Sequence, residues 1–128
     1  MKKLFNQIRV KDFEQSILAM LVRLINDCYT SKLAAISLFP IVFPSFSHQN
    51  QSEIMEMYNQ VAGDEKPAIR RQAAIVLNQM IQLVPHVRDT DLLEIFSKFY
   101  QDDQDSVRMQ GIDSCVYFAQ HLAPGVFQ

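Results

Sequence analysis

Gly63-Asp64-Glu65-Lys66-Pro67-Ala68-Ile69-Arg70-Arg71 decides how this chain folds. An acidic turn runs into a proline, and a helix with a basic pair in its first turns follows. Proline suits the first helical position, because its missing N–H would have no intrahelical acceptor there. Asp64 and Glu65 lie just before the positive end of that helix dipole, where carboxylates are stabilised. The pattern recurs 38 residues later as Asp102-Asp103-Gln104-Asp105-Ser106-Val107-Arg108. It recurs more faintly 38 residues earlier as Asn26-Asp27-Cys28-Tyr29-Thr30-Ser31-Lys32.

Working outward from these three turns, apolar residues at helical spacing predict a helix on either side of each. The first pair is 10–25 with 30–43, preceded by a short lead-in holding Leu4, Phe5 and Ile8. In 10–25 the stripe is Phe13, Ile17, Met20, Leu21 and Leu24. The segment 30–43 is apolar nearly all round, which predicts burial on several sides, and Pro40 inside it should kink or shorten the helix. The second pair is 52–62 with 67–84, entered through a polar connector at 45–51. Gly63 is a suitable stop for the first of these helices. The third pair is 89–100 with 106–122, closed by Pro124-Gly125.

Laid over one another at 38, the pairs align Ile17, Met55 and Leu93, and also Met20, Tyr58 and Phe96. Lys32, Arg70 and Arg108 form a basic column, and Asp27, Glu65 and Asp103 an acidic one. Apolar columns can arise in any helical bundle, but charged columns at the same offset have no origin in core packing. A period near 40 built of two helices points to an all-α fold, an α-α superhelix of about three repeats of the HEAT or armadillo type. The expected repeats are 9–46, 47–85 and 86–124 within one domain spanning 1–128. An acid in one turn and a base one helical turn later are placed to bond across neighbouring repeats. Met109, Ile112, Cys115, Val116 and Phe118 spread over more than one face of the last helix. Because end repeats of a solenoid ordinarily carry a polar cap, the chain is expected to be part of a longer stack, or to pack its end on another molecule.

Composition excludes several functions. The 128 residues are 48% hydrophobic and carry a net charge of -2, so nothing draws the chain in bulk toward nucleic acid or anionic lipid. No apolar run approaches the roughly 18–20 residues of a membrane span. Cys28 and Cys115 have no metal-type spacing and read as buried free thiols in a reducing, cytoplasmic setting, with the nucleus as the alternative. His48 and His86 are 38 apart, but equivalent positions on stacked pairs lie roughly 10 Å from each other. That is too far for one metal ion, whose ligand bonds are near 2 Å. No phosphate loop, nucleophile elbow or zincin motif occurs, so no catalytic residue, cofactor or metal is expected.

The residues also resemble a known family. Asp64…Ile69-Arg70…Ala73 and Asp102…Val107-Arg108…Gly111 match the HEAT signature. Asp102-Asp103-Gln104-Asp105-Ser106-Val107-Arg108, continued by Cys115-Val116 and Ala119-Gln120-His121-Leu122, resembles a central repeat of the scaffold (A) regulatory subunit of serine/threonine protein phosphatase 2A. Pro67-Ala68-Ile69-Arg70-Arg71-Gln72-Ala73-Ala74 is similar to the repeat before it. Ser37-Leu38-Phe39 with Phe43-Pro44 resembles the one before that. The likeness covers about residues 17–122 and departs from the family at Cys28, where it has a Trp, and at Pro40, where it has a small residue.

The resemblance implies a non-catalytic scaffold whose turn ridge docks an exchangeable regulatory (B-type) subunit, while the catalytic subunit binds repeats outside this chain. It places the partner contacts at Asp27, Tyr29, Asp64, Glu65, Pro67, Arg70, Arg71, Asp102 and Asp103. The plainer reading of the acids is helix N-terminal stabilisation, and of Arg70, an inter-repeat ladder. Arg71 has no basic column, since Leu33 and Met109 occupy it, which favours a partner contact. The alternative is another HEAT or armadillo adaptor, transport-receptor-like, that binds through a concave helical face. A helical hydrolase with a cryptic site is the rival from the enzyme class.

Overall fold

A computed structural model describes the backbone of residues 2–83, 92–115 and 119, and the side chains of these from residue 12 onward. Its helices are α1 (Lys2–Ile25), α2 (Tyr29–Val42), α3 (His48–Ala62), α4 (Pro67–Leu83), α5 (Leu92–Tyr100) and α6 (Asp105–Asp113), with no strand among the described residues. The chain is all-α. The helices pack as the pairs α1–α2, α3–α4 and α5–α6. Successive pairs stack so that α1, α3 and α5 form one layer and α2, α4 and α6 the other. One continuous core runs between the layers, from Leu18 and Leu21 through Phe39, Tyr58, Leu77 and Met80 to Ile95, Phe99 and Val107. Among the described residues, no helix is long and apolar enough to cross a membrane.

Several boundaries differ from the sequence expectation. The lead-in at Leu4–Ile8 belongs to α1 itself, which runs unbroken from Lys2. The polar stretch before the third helix is shorter, because α3 already starts at His48. Its first turn, His48-Gln49-Asn50-Gln51, has no apolar periodicity to announce a helix. Tertiary contacts support it: a Glu14 carboxylate oxygen on α1 accepts the Ser47 N–H at 2.7 Å and the Asn50 amide at 3.2 Å. Gln51 in turn donates to the Phe43 carbonyl at 2.7 Å. The α2 helix continues through buried Pro40 to Val42, then tightens into a 3-10 turn at Phe43–Ser45. As expected of a helix apolar on most sides, α2 contacts α1, α3 and α4. The described part of α6 ends at Asp113, and the rest of the expected 106–122 helix lies largely outside the described residues.

The repeat register also needs correction. On α1 the buried positions are Glu14, Leu18, Leu21 and Ile25, whereas Met20, placed in one column with Tyr58, is 40% exposed and Tyr58 is fully buried. The cause is the first turn. Asn26-Asp27-Cys28 has one residue fewer than Gly63-Asp64-Glu65-Lys66 or Gln101-Asp102-Asp103-Gln104. Helix α1 therefore aligns with α3 at an offset of 37, which brings Leu18 onto Met55, Leu21 onto Tyr58 and Ile25 onto Ala62, all buried. The second helices keep the offset of 38: Ala35 matches Ala73, and Phe39 matches Leu77. In this register Asp27 corresponds to Asp64 and Asp102, so the acidic column is 27, 64 and 102 rather than 27, 65 and 103.

Candidate functional site: the ridge of intra-pair turns

The three turns of the pairs lie side by side because the pairs stack in parallel register, and ion pairs tie them together. Lys32 at the start of α2 reaches Asp64 of the second turn at 2.7 Å. Arg70, its equivalent on α4, grips Asp102 of the third turn in a two-pronged pair, Nε to Oδ2 at 2.7 Å and Nη2 to Oδ1 at 3.1 Å. The remaining Arg70 donor, Nη1, binds the Asp64 and Glu65 carbonyls of its own turn at 2.8 and 3.1 Å. Planar guanidinium geometry suits such a fork, which fixes orientation as well as distance.

The acids of the ladder are further held by their own backbone. Asp64 Oδ1 accepts the Lys66 N–H at 2.9 Å, and Asp102 Oδ1 accepts the Gln104 N–H at 2.9 Å, each closing a local turn. Partial burial pushes the Asp64 carboxyl up, but the bonds from Lys32 and the Lys66 N–H outweigh it and hold it below its ordinary 3.8. Asp102 follows the same logic: burial pushes it up, while Arg70 and the Gln104 N–H bring it below 3.8. The bond to Asp102 raises Arg70 above its usual range.

Of the nine residues assigned to a partner from the sequence, Asp64, Arg70 and Asp102 are thus engaged inside the chain, with side chains only 12%, 14% and 8% exposed. The others form the outer edge of the turns. Asp27, Glu65, Pro67, Arg71 and Asp103 are exposed, and among the described residues Arg71 makes no ion pair. Asp103 lends a second oxygen to Arg70 at 3.2 Å while remaining 83% exposed. Tyr29 is half-exposed, and the Lys66 ammonium of the next turn sits 5.5 Å from its ring centre, so the first two turns present a joint aromatic and cationic surface.

Cys28 is a feature of this edge that the sequence reading misplaced. Both cysteines are exposed rather than buried. Cys28 precedes the first turn of α2, where its sulfur lies 3.4 Å from the Ser31 hydroxyl and 3.3 Å from the Thr30 hydroxyl. The Ser31 hydroxyl above all, with that of Thr30 and the Ser31 backbone, favours the thiolate and lowers the Cys28 thiol to about 7, against the opposing charge of Asp27. The signal available in the sequence was Thr30 and Ser31, two and three residues after a cysteine at a helix start.

Among the described residues no group of His, Cys, Asp or Glu is arranged to hold a metal ion. His48 is exposed, while His86 and His121 lie outside the described residues.

The chain is similar to a protein of Caenorhabditis elegans described as a probable serine/threonine-protein phosphatase PP2A regulatory subunit, with 28% identity over 124 residues. The alignment takes in 95% of this chain and 21% of that relative, so the chain spans about a fifth of the relative's length. No family model matches the chain.

Proposed function

We propose that this chain serves as part of a non-catalytic scaffold of a protein phosphatase 2A-type holoenzyme, docking a B-type regulatory subunit on its turn ridge. The observation that carries the reading is the similarity to a phosphatase regulatory subunit along nearly the whole helix stack. It is supported by the division of labour at the turns. The ladder residues Asp64, Arg70 and Asp102 fix the turns relative to one another, which leaves Asp27, Tyr29, Glu65, Pro67, Arg71 and Asp103 as the outward-facing set. A ridge whose spacing is set by internal ion pairs presents its contacts pre-organised, so a partner loses less ordering entropy on binding. The mechanism is positional: the stack holds a targeting subunit near a catalytic subunit bound to repeats outside this chain, and so selects which substrates are reached.

The test is a pull-down with purified B-type subunits, comparing the chain with the double variant Glu65→Arg, Arg71→Glu. Loss of binding with unchanged helical circular dichroism supports the reading; equal binding overturns it. If instead crosslinks map to the exposed faces of α3 and α5, the chain is an adaptor of another kind that binds through its helical surface.

A further inference from the structure

The second helices of the pairs, α2, α4 and α6, run parallel, and each turns a column of residues at four-residue spacing to solvent. On α4 that column is Arg71, Ile75 and Gln79, all exposed although helix pairs pack on both sides of it. The central pair therefore shows which positions stay open inside a stack, whatever precedes or follows. By the offset of 38, Ile41 on α2 stands at the position of Gln79, and Met109 on α6 at that of Arg71. Their exposure, 68% for Ile41 and 58% for Met109, thus belongs to the face itself and not to an end of the stack. Ile75, at 40%, lies between them.

Single exposed apolar side chains are ordinary on a protein surface. These three stand on one line. They follow one another at 34 residues, four short of the repeat, so each lies one helical turn nearer the turn ridge than the one before. With neighbouring helix axes roughly 10 Å apart and a turn of about 5.4 Å, each step along this diagonal is about 11 Å. Residues at i and i+7 of an α-helix share a face and lie about 10.5 Å apart. The two sides of the diagonal carry opposite charge. Arg71 lies on one side, level with Met109 and one turn nearer the ridge than Ile75. Asp113 lies on the other, level with Ile75 and one turn farther from the ridge than Met109. Both are exposed, and among the described residues neither makes an ion pair.

From this arrangement we infer that the exposed face of the α2, α4 and α6 layer docks an amphipathic helix of a partner protein, laid along the diagonal. Its apolar residues at i, i+7 and i+14 rest on Ile41, Ile75 and Met109. An acid on one flank of that stripe meets Arg71, and a base on the other flank meets Asp113. The apolar anchors supply affinity, and the two flanking charges fix the direction and choice of the helix. The flexible thioether of Met109 adjusts to the anchor that meets it. The inference does not rest on the phosphatase reading, and Arg71 alone is common to this face and the ridge contacts.

The test uses the full 128-residue chain and a synthetic helical peptide of about 20 residues, with Leu at i, i+7 and i+14, Glu along one flank and Lys along the other. No regulatory subunit is present, so the outcome stands apart from the pull-down. Fluorescence anisotropy of the labelled peptide should show saturable binding, weakened roughly tenfold or more by Ile75→Glu. Peptides with Glu on both flanks, or Lys on both, should bind roughly tenfold more weakly than the mixed one. Asp113→Arg should then prefer the peptide with Glu on both flanks, and Arg71→Glu the peptide with Lys on both. Circular dichroism confirms that each variant is folded. A mixed peptide that does not bind, binding indifferent to Ile75→Glu, or charge variants that leave the peptide preference unchanged overturns the inference. Self-association of the chain that Ile75→Glu abolishes assigns the face to a second copy and overturns it too.

Discussion

Arg70 spends every donor of its guanidinium inside the chain, whereas Arg71, one residue on, spends none on a described carboxylate. The contrast predicts how single substitutions divide. Asp102 is 8% exposed and takes the two-pronged bond of Arg70, while Asp103 is 83% exposed and takes one bond at its periphery. Removing Asp102 leaves the largely buried Arg70 guanidinium with only the peripheral Asp103 among described carboxylates, at a cost between the ~1 kcal/mol of an exposed pair and the roughly 3–5 kcal/mol of a buried one. Asp102→Ala should therefore lose on the order of 2–3 kcal/mol in urea denaturation, and Asp103→Ala less than about 1 kcal/mol. Equal losses would show that the ladder does not depend on the buried oxygen pair. Both residues look alike in the sequence, as adjacent aspartates in an acidic turn. Which of them points inward was decided by the position of Arg70 on the neighbouring pair.

At the scale of helices, close packing within a pair depends on a small residue at one position of the second helix. Ala35 on α2 and Ala73 on α4 fill it and are fully buried, and on α6 the equivalent is Gly111. A Cβ there would sit 3.1 Å from Phe99 Cβ and 3.3 Å from the Tyr100 backbone nitrogen, so a methyl group would have to push α5 and α6 apart by a few tenths of an ångström. Gly111→Ala gains about 1 kcal/mol of helix propensity but incurs an overpacking cost of about 1–3 kcal/mol. The expected outcome is a net loss of about 1 kcal/mol in thermal or chemical denaturation. A gain in stability would mean that the two helices separate freely. The same scale explains why one column was misread. A turn shortened by one residue rotates a helix by about 100 degrees relative to its fixed-period register. The apolar stripe of α1 survives such a shift at neighbouring positions, so periodicity alone did not expose it, and only the burial of Leu18, Leu21 and Ile25 did.

For the whole molecule, the ladder links pH to stability. Asp64 and Asp102 are held below their ordinary 3.8 in the folded chain, and unfolding returns them to it. Their contribution is complete above the unfolded value and is lost as the pH falls from 3.8 through the lower folded values. The melting temperature should fall between about pH 5 and pH 2, and Asp64→Asn with Asp102→Asn should flatten that part of the profile. An unchanged slope in the double variant would place the acid sensitivity elsewhere. At this scale the ladder also defines the ridge: the ion pairs lost in acid are the ones that hold Glu65, Pro67 and Arg71 at their spacing.

Chain chemistry alone determined the all-α class, the three helix pairs and the turns that join them, because periodic apolar residues, a first-turn proline and recurring charges act through neighbours in sequence. Tertiary structure decided the rest: the start of α3, the rotation of α1, the inward aspartates and the exposure of Cys28. The start of α3 and the inward aspartates depend on groups from another helix, and local spacing contains no information on which neighbour will supply them. The opening stretch illustrates both halves. Its repeat was legible as soon as it was read, but that Asp64 belongs to Lys32 and Arg70 to Asp102 followed only once the pairs were stacked.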